Sequence, residues 1–441
     1  MGSPEGLRDV TVVRVATPGC VAQAFRPAVL ALAIATSVSA QTPTPTERVT
    51  FDEAVRRAVE KNPSAAIAAA AILRAEALLM QTRSNSRLQI TGNVTTTTLN
   101  SGVEFQGSTV TPQNQLTAGL DARLPLYAPA RWARTAQAAD AKQVAQAGAD
   151  EVRRQTSLSA ADAYLTVIAR RRTSDANVRA RDVAKAHFDY AHELLARGAG
   201  SRLNELRAQQ DVSLDDGLVE SSRLSLYRAQ EALGVLLVAD GPVDAVDEPA
   251  FSVPGDTPAL QAGPWRTDLK LFAAEQQAAE RVLGDSSKDQ LPYLESMFQP
   301  STTYPAQFFL PQNSWRFLMQ LSVPIFDSGQ RQGQRLERQA AVDESRATYA
   351  RAQTQARSEV RAARESIGSA ERALASARAA ADQARQVVDI VNISFRAGAA
   401  TNIEVIDAQG RARDSDTAVG VAEDTLRRAH LELLTALGRF P

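Results

Sequence analysis

Trp315-Arg316-Phe317-Leu318-Met319-Gln320-Leu321-Ser322-Val323-Pro324-Ile325-Phe326-Asp327-Ser328-Gly329 is the stretch whose reading decides the fold. Trp315, Phe317, Met319, Leu321 and Val323 alternate with Arg316, Leu318, Gln320 and Ser322, the period of a strand with one apolar and one more polar face. Pro324 then marks the strand end. An upstream stretch reads the same way: Leu116, Ala118, Leu120, Ala122 and Leu124 are separated by Thr117, Gly119, Asp121 and Arg123, and Pro125 follows. Leu124-Pro125-Leu126-Tyr127 and Val323-Pro324-Ile325-Phe326 lie 199 residues apart, and Pro112-Gln113-Asn114 recurs as Pro311-Gln312-Asn313 at the same offset.

The correspondence continues outward. Asp189, Gly198, Ala208 and Gln209 match Asp389, Gly398, Ala408 and Gln409 at an offset of 200, as do Leu226, Arg228, Ala229, Leu233 and Leu237 with their partners from Leu426 to Leu437. Matches in one order with a drift of a single residue mark a tandem repeat. Each copy reads helix, β-hairpin, long helix, return helix. The expected layout is a signal peptide over 1–40, a linker over 41–48, repeat one over 49–238, an inter-repeat linker or equatorial segment over 239–264, and repeat two over 265–438. Hairpin strands are predicted near 87–98 and 115–124, then 290–299 and 314–323. Helices are predicted near 129–196 and 203–238, then 330–396 and 402–437. Asn62-Pro63 interrupts the first helical segment.

The helix over 330–396 carries a 4-3 seam: Ala356, Val360, Ala363, Ile367, Ala370, Leu374, Ala377, Ala381, Ala384, Val388, Val391 and Phe395. Alanine holds one of its two positions almost throughout, so a partner backbone can approach closely. Copy one is less regular, with Leu158, Ala161, Leu165 and Ile168 followed by Arg170-Arg171-Arg172, read as a solvated face. Such helices span about 100 Å at 1.5 Å per residue, a length suited to a tube or a stalk. Both end at glycine turns, at Gly198 and Gly398, where a left-handed C-cap is available; Ser201 and Thr401 are candidate N-caps for the return helices.

Composition narrows the function. The net charge of -1 offers no basic field for nucleic acid. The single cysteine, Cys20, excludes an internal disulfide framework or Cys-rich metal site. An apolar run over 28–38, ending in Val38-Ser39-Ala40, reads as a secretory signal. No later segment is read as a transmembrane helix, so membrane insertion would use strands. No catalytic residues, cofactor or metal site are expected: His187 and His192 fall on different helix faces, His430 lacks a partner, and no Walker-type loop is present. Met80, Met297 and Met319 are scattered. Trp132, Tyr127 and Phe326 flank the strand-to-helix junctions.

Four strands cannot close a membrane barrel, whose smallest form has about eight, and unpaired edges in one chain would invite aggregation. An oligomer follows: two protomers would give eight strands and three would give twelve. The alternative is a secreted periplasmic coiled-coil scaffold or adaptor without a pore, which leaves the alternating strands without a purpose.

The chain resembles the TolC-like outer membrane efflux proteins. The likeness is carried by Phe51-Asp52-Glu53-Ala54 with Asn62-Pro63, by Leu-Pro-Leu-Tyr and Val-Pro-Ile-Phe-Asp-Ser-Gly after the strands, by Phe395-Arg396-Ala397-Gly398, and by Glu404-Val405-Ile406-Asp407-Ala408-Gln409. The resemblance implies a homotrimer in the bacterial outer membrane. Its twelve-stranded barrel would continue into a periplasmic tunnel of helices and serve as the passive outer conduit of an efflux system. It also implies a periplasmic adaptor protein and an inner-membrane pump as partners, with substrate choice made in the pump. Asp389 and Asp189 are the candidate constriction residues. Gln386 stands where the family often has a second acidic residue. Arg197, Gly198, Ser201, Leu203, Gly398, Thr401 and Ile403 are the candidate adaptor-contact tips, and Pro125 and Pro324 the barrel-to-helix junctions.

Overall fold

The computed structural model describes residues 46–252 and 263–440. The expected signal peptide and part of each linker lie outside these residues. The described chain is mostly helical with a small sheet part. Its elements run β1 (Glu47–Val49), α1 (Phe51–Lys61), α2 (Pro63–Ser84), β2 (Gln89–Thr98), β3 (Val103–Phe105), β4 (Ser108–Thr111), β5 (Asn114–Tyr127), α3 (Pro129–Ala196) and α4 (Arg202–Leu237). After β6 (Val243–Ala245) come α5 (Thr267–Gly284), β7 (Tyr293–Tyr304), β8 (Asn313–Ser322), α6 (Gln330–Arg396) and α7 (Asn402–Ala436).

The principal sheet has the order β2-β5-β7-β8, antiparallel throughout, with β2 and β8 as its open edges. Asn62 explains the break between α1 and α2. Its extended backbone precedes Pro63, its Oδ1 accepts from Ser64 N at 2.9 Å, and its Nδ2 donates to Leu236 O at 3.2 Å.

On α6, Ala356, Val360, Ala363, Ala370, Leu374 and Ala381 are buried at the expected 4-3 spacing, and α7 packs along this helix. The main core lies at the middle of α3, where Tyr164, Leu165, Val167 and Ile168 meet Val49, Phe51, Ala54, Leu233, Leu237 and Val243. There β1 and β6 pair in parallel, Glu47 with Val243 through Val49 with Ala245. The Tyr164 hydroxyl donates to Asp247 Oδ1 at 2.5 Å, while Asp247 Oδ1 also accepts from Phe51 N at 3.0 Å at the start of α1. Burial and the Asp247 carboxylate push the Tyr164 phenol well above its ordinary range.

Three expectations are corrected. Pro125 does not end its strand: β5 continues to Tyr127, with a register shift against β7 between Pro125 and Tyr127. Proline has no N–H to donate, and a bulge is where a ladder tolerates that loss. The arginine run is not a simple solvated face. Arg171 donates to Ala245 O at 2.5 Å and pairs with Asp244, and Arg172 pairs with both Glu248 and Glu423. Finally, α2 is long and apolar enough to cross a membrane by length and composition, with a mean hydropathy of 1.5 over its best window. Alanine supplies most of that hydropathy, and α2 lies along α3 with Ile67, Leu73 and Met80 exposed.

Candidate functional site

The sheet sorts its side chains by face. In register, Ile90, Val94, Leu116, Leu120, Leu124, Phe298, Trp315, Phe317, Met319 and Leu321 share one side. All ten are exposed in the protomer, Trp315 at 71% and Val94 at 72%, a contiguous apolar face of the kind that marks an interaction surface. The opposite face carries Thr91, Asn93, Thr117, Gly119, Asp121, Arg123, Gln299, Ser301, Ser314 and Arg316. This is the alternation of a membrane barrel strand.

The two junction prolines are not equivalent. Pro125 is buried inside β5, and Tyr127 meets Trp132 edge-on at 5.8 Å as α3 begins. Pro324 follows the end of β8, and the extended segment after it leaves Ile325 and Phe326 at 91% and 86% exposure. Asp327 then starts α6, accepting from Gly329 N at 3.2 Å and Arg331 N at 3.1 Å. Those backbone donors and the Arg331 guanidinium hold the Asp327 carboxyl below its usual range, the guanidinium contributing most.

At the far end, both long helices close in the same way. Gly198 and Gly398 each adopt φ +75°; Ala199 N donates to Leu194 O at 2.9 Å and Ala399 N to Ser394 O at 2.8 Å. Ser201 caps α4 through Leu203 N, and Thr401 caps α7 in a reciprocal box with Glu404, whose Oε2 accepts from Thr401 N at 2.7 Å. Arg197 is exposed and pairs with Glu193. Leu203 and Ile403 project at 53% and 55% exposure, offering a matched aliphatic pair.

Asn402, which the sequence reading passed over, joins the two tips. Its side chain is buried; Oδ1 accepts from His187 Nε2 at 2.6 Å, and Nδ2 donates to Asn204 O at 3.2 Å. Phe395 packs 5.5 Å from the His187 ring. Burial draws the His187 pKa below its ordinary value. His192 instead bonds Glu205, which also pairs with Arg202, and both partners keep that carboxyl below its usual range, His192 contributing most. No sequence pattern marks Asn402, because its partners come from α3 and α4.

Asp389 is exposed and lines a groove of about 400 Å³ where α3, α4, α6 and α7 converge. Asp211, Asp215 and Asp416 line it as well, beside Arg179, Arg385 and Arg413. Asp215 is buried and pairs with Arg413 at 2.7 Å, while burial and Asp215 raise the Asp211 pKa. Asp389 therefore stands in a mixed-charge setting. Asp189 is exposed on α3 and is not part of this lining. Among the described residues, no group of three His, Cys, Asp or Glu side chains could hold a metal ion.

Residues 265–439 match the family model described as outer membrane efflux protein. No curated protein sequence matches the chain. Among solved structures, the chain is similar to the CmeC outer membrane channel of Campylobacter jejuni, with a TM-score of 0.77 and 15% identity over 88% of this chain and 86% of that one. It is similar to the outer membrane protein VceC of Vibrio cholerae, with a TM-score of 0.74 and 18% identity over 88% and 96% of the two chains. The open-state MtrE outer membrane channel of Neisseria gonorrhoeae gives 0.72 and 17%, over 88% of each chain.

Proposed function

We infer that this chain is a TolC-like outer membrane efflux protein, a reading supported by the family match over residues 265–439 and the shared fold, and that three copies build one conduit. The protein acts as the outer-membrane channel component of an efflux system. The observation that carries an oligomer is the four-stranded sheet with two unpaired edges and an exposed apolar face; the number three follows the family resemblance. Three such sheets, joined β8 to β2, give a twelve-stranded barrel with no edge left and its apolar side toward lipid. The long helices then continue the barrel as a tunnel wall, and the exposed apolar side chains of α2 and of Ile325 and Phe326 are covered by the neighbouring protomer.

The work of such a conduit is passive. Its wall supplies a polar face to cargo and a closed backbone ladder to lipid, and the energy for transport comes from an inner-membrane pump. The tips at Arg197, Gly198, Ser201, Leu203, Gly398, Thr401 and Ile403 meet a periplasmic adaptor through the paired aliphatic side chains beside two rigid glycine turns. Pro125 and Pro324 turn the chain from barrel to tunnel. Asp389, repeated by the three-fold axis, contributes carboxylates near the closed end, while Asp189 adds a second, separate set.

The test is assembly and conductance of the full chain from outer-membrane fractions. Cysteines placed on the two edges, at Thr95 of β2 and Ser314 of β8, should cross-link into a closed trimer, and the purified protein should form pores in planar bilayers. Soluble protein that neither cross-links beyond the monomer nor conducts would sink this reading in favour of a poreless scaffold.

A further inference from the structure

The polar face of the sheet is not uniform along its length. Toward the β3–β4 end it carries Thr95, Thr97, Gln115, Thr117, Gly119, Thr303, Asn93, Ser301 and Ser314, all neutral. In the next row charge appears abruptly. Arg123 Nε and Nη2 donate to the two oxygens of Asp121 at 2.8 and 3.1 Å. Gln299 Nε2 donates to Asp121 Oδ2 at 2.8 Å, and its Oε1 accepts from Arg316 Nε and Nη2 at 3.1 and 2.7 Å. One hydrogen-bonded line thus crosses β5, β7 and β8.

The charges in this line do not cancel. Asp121 neutralises Arg123, whereas the Arg316 guanidinium rests on an amide oxygen. Closing the barrel leaves that excess in place. The edge that meets β8 is a neighbour's β2, Gln-Ile-Thr-Gly-Asn-Val-Thr-Thr-Thr-Thr, which brings no carboxylate. Gln299 fixes the sign of the arrangement, since its amide donates toward the carboxylate and accepts from the guanidinium.

We propose that Asp121, Arg123, Gln299 and Arg316 form a cationic collar inside the barrel that favours anionic solutes at the last stage of export. The proposal rests on the trimeric-channel reading, and it gives the barrel, not only the pump, a share in selecting cargo. Glu295 on the same face is matched by Arg131 at 3.4 Å, so each protomer contributes one uncompensated positive charge. At about 0.1 M salt the Debye length is roughly 10 Å, so the collar's field extends over the lumen at low salt and collapses at high salt.

The experiment is the reversal potential of single channels of the full-length protein in a low-salt potassium chloride gradient. Arg316→Gln should move it toward the potassium equilibrium potential, and Arg316→Glu about twice as far, because it exchanges rather than removes a charge. Arg316→Lys, which keeps the charge and loses the two-pronged bond, should match the parent, and all shifts should vanish at about 1 M salt, where the Debye length is about 3 Å. Should Arg316→Glu fail to assemble at its edge strand, Arg123→Gln removes the same charge from an inner strand and should shift the potential as Arg316→Gln does. Conducting variants with the parent's reversal potential overturn the collar. A parent that forms no pore overturns the channel reading instead.

Discussion

Replacing Asn402 by leucine tests whether the link between the tips holds the tunnel end closed. The substitution keeps the volume and removes both polar contacts, the 2.6 Å bond from His187 and the 3.2 Å bond to Asn204 O. At about 1 kcal/mol net per neutral hydrogen bond, each protomer loses about 2 kcal/mol of tip-to-tip attachment. At 1.4 kcal/mol per tenfold, this moves the local opening equilibrium roughly 30-fold. The His187 ring nitrogen and the Asn204 carbonyl are also left without those partners in a buried setting, so that figure is a lower bound. Single-channel recordings should show longer open times for Asn402→Leu than for the parent. Acidification should also favour opening, because the buried site disfavours the charged imidazolium. Burial lowers the folded-state pKa of His187, although the hydrogen bond to Asn402 and the Asp211 carboxylate work in the opposite direction. The separated state therefore takes up the proton more readily. The closed tip keeps its full stability above the ordinary His pKa of about 6.5 and loses it as pH falls through the lowered value. Open times that are unchanged in Asn402→Leu, or that in the parent do not lengthen on acidification, refute the argument.

Three further outcomes are expected. Tyr164→Phe should cost about 1.5–3 kcal/mol, the worth of a hydrogen bond to a charged group, measured by denaturant unfolding; a loss below about 0.5 kcal/mol would mean Asp247 does not hold the hydroxyl in solution. Gly234→Ala should destabilise more than Gly217→Ala on the same helix, because a Cβ at Gly234 would lie 2.4 Å from Gly241 O while none meets an atom at Gly217; equal unfolding midpoints would contradict this. Asp389→Asn should weaken block by multivalent cations in bilayers, and unchanged block would remove Asp389 from the constriction.

Legibility in the sequence followed the range of the interactions. The alternation of Trp315, Phe317, Met319 and Leu321 is the alternation of the sheet's two faces, and the Ala356-to-Ala381 seam is the buried stripe of α6. Both are local periodicities, written by what each side chain must face. Thr401 read as a cap because the capping bond spans three residues. Asn402 did not read as anything, since its partners lie 215 and 198 residues away. Arg171 and Arg172 misled for the same reason: in sequence they look solvated, and only the return of Asp244, Glu248 and Glu423 gives them partners. Pro125 misled because a bulge depends on the register of the opposite strand, and α2 because alanine scores as apolar whether it faces a lipid or another helix.

The pairing of β1 with β6 has a consequence in time. Phe51 N reaches Asp247 across 196 residues of sequence, and such non-local closure is slow compared with helix formation. A chain threaded out of the cell N-terminus first would therefore present residues 47–49 long before 243–245 emerge to receive them. The helices of the first repeat can zip while that strand waits, and the pairing that closes the middle of the protomer becomes possible only as the second repeat begins to emerge.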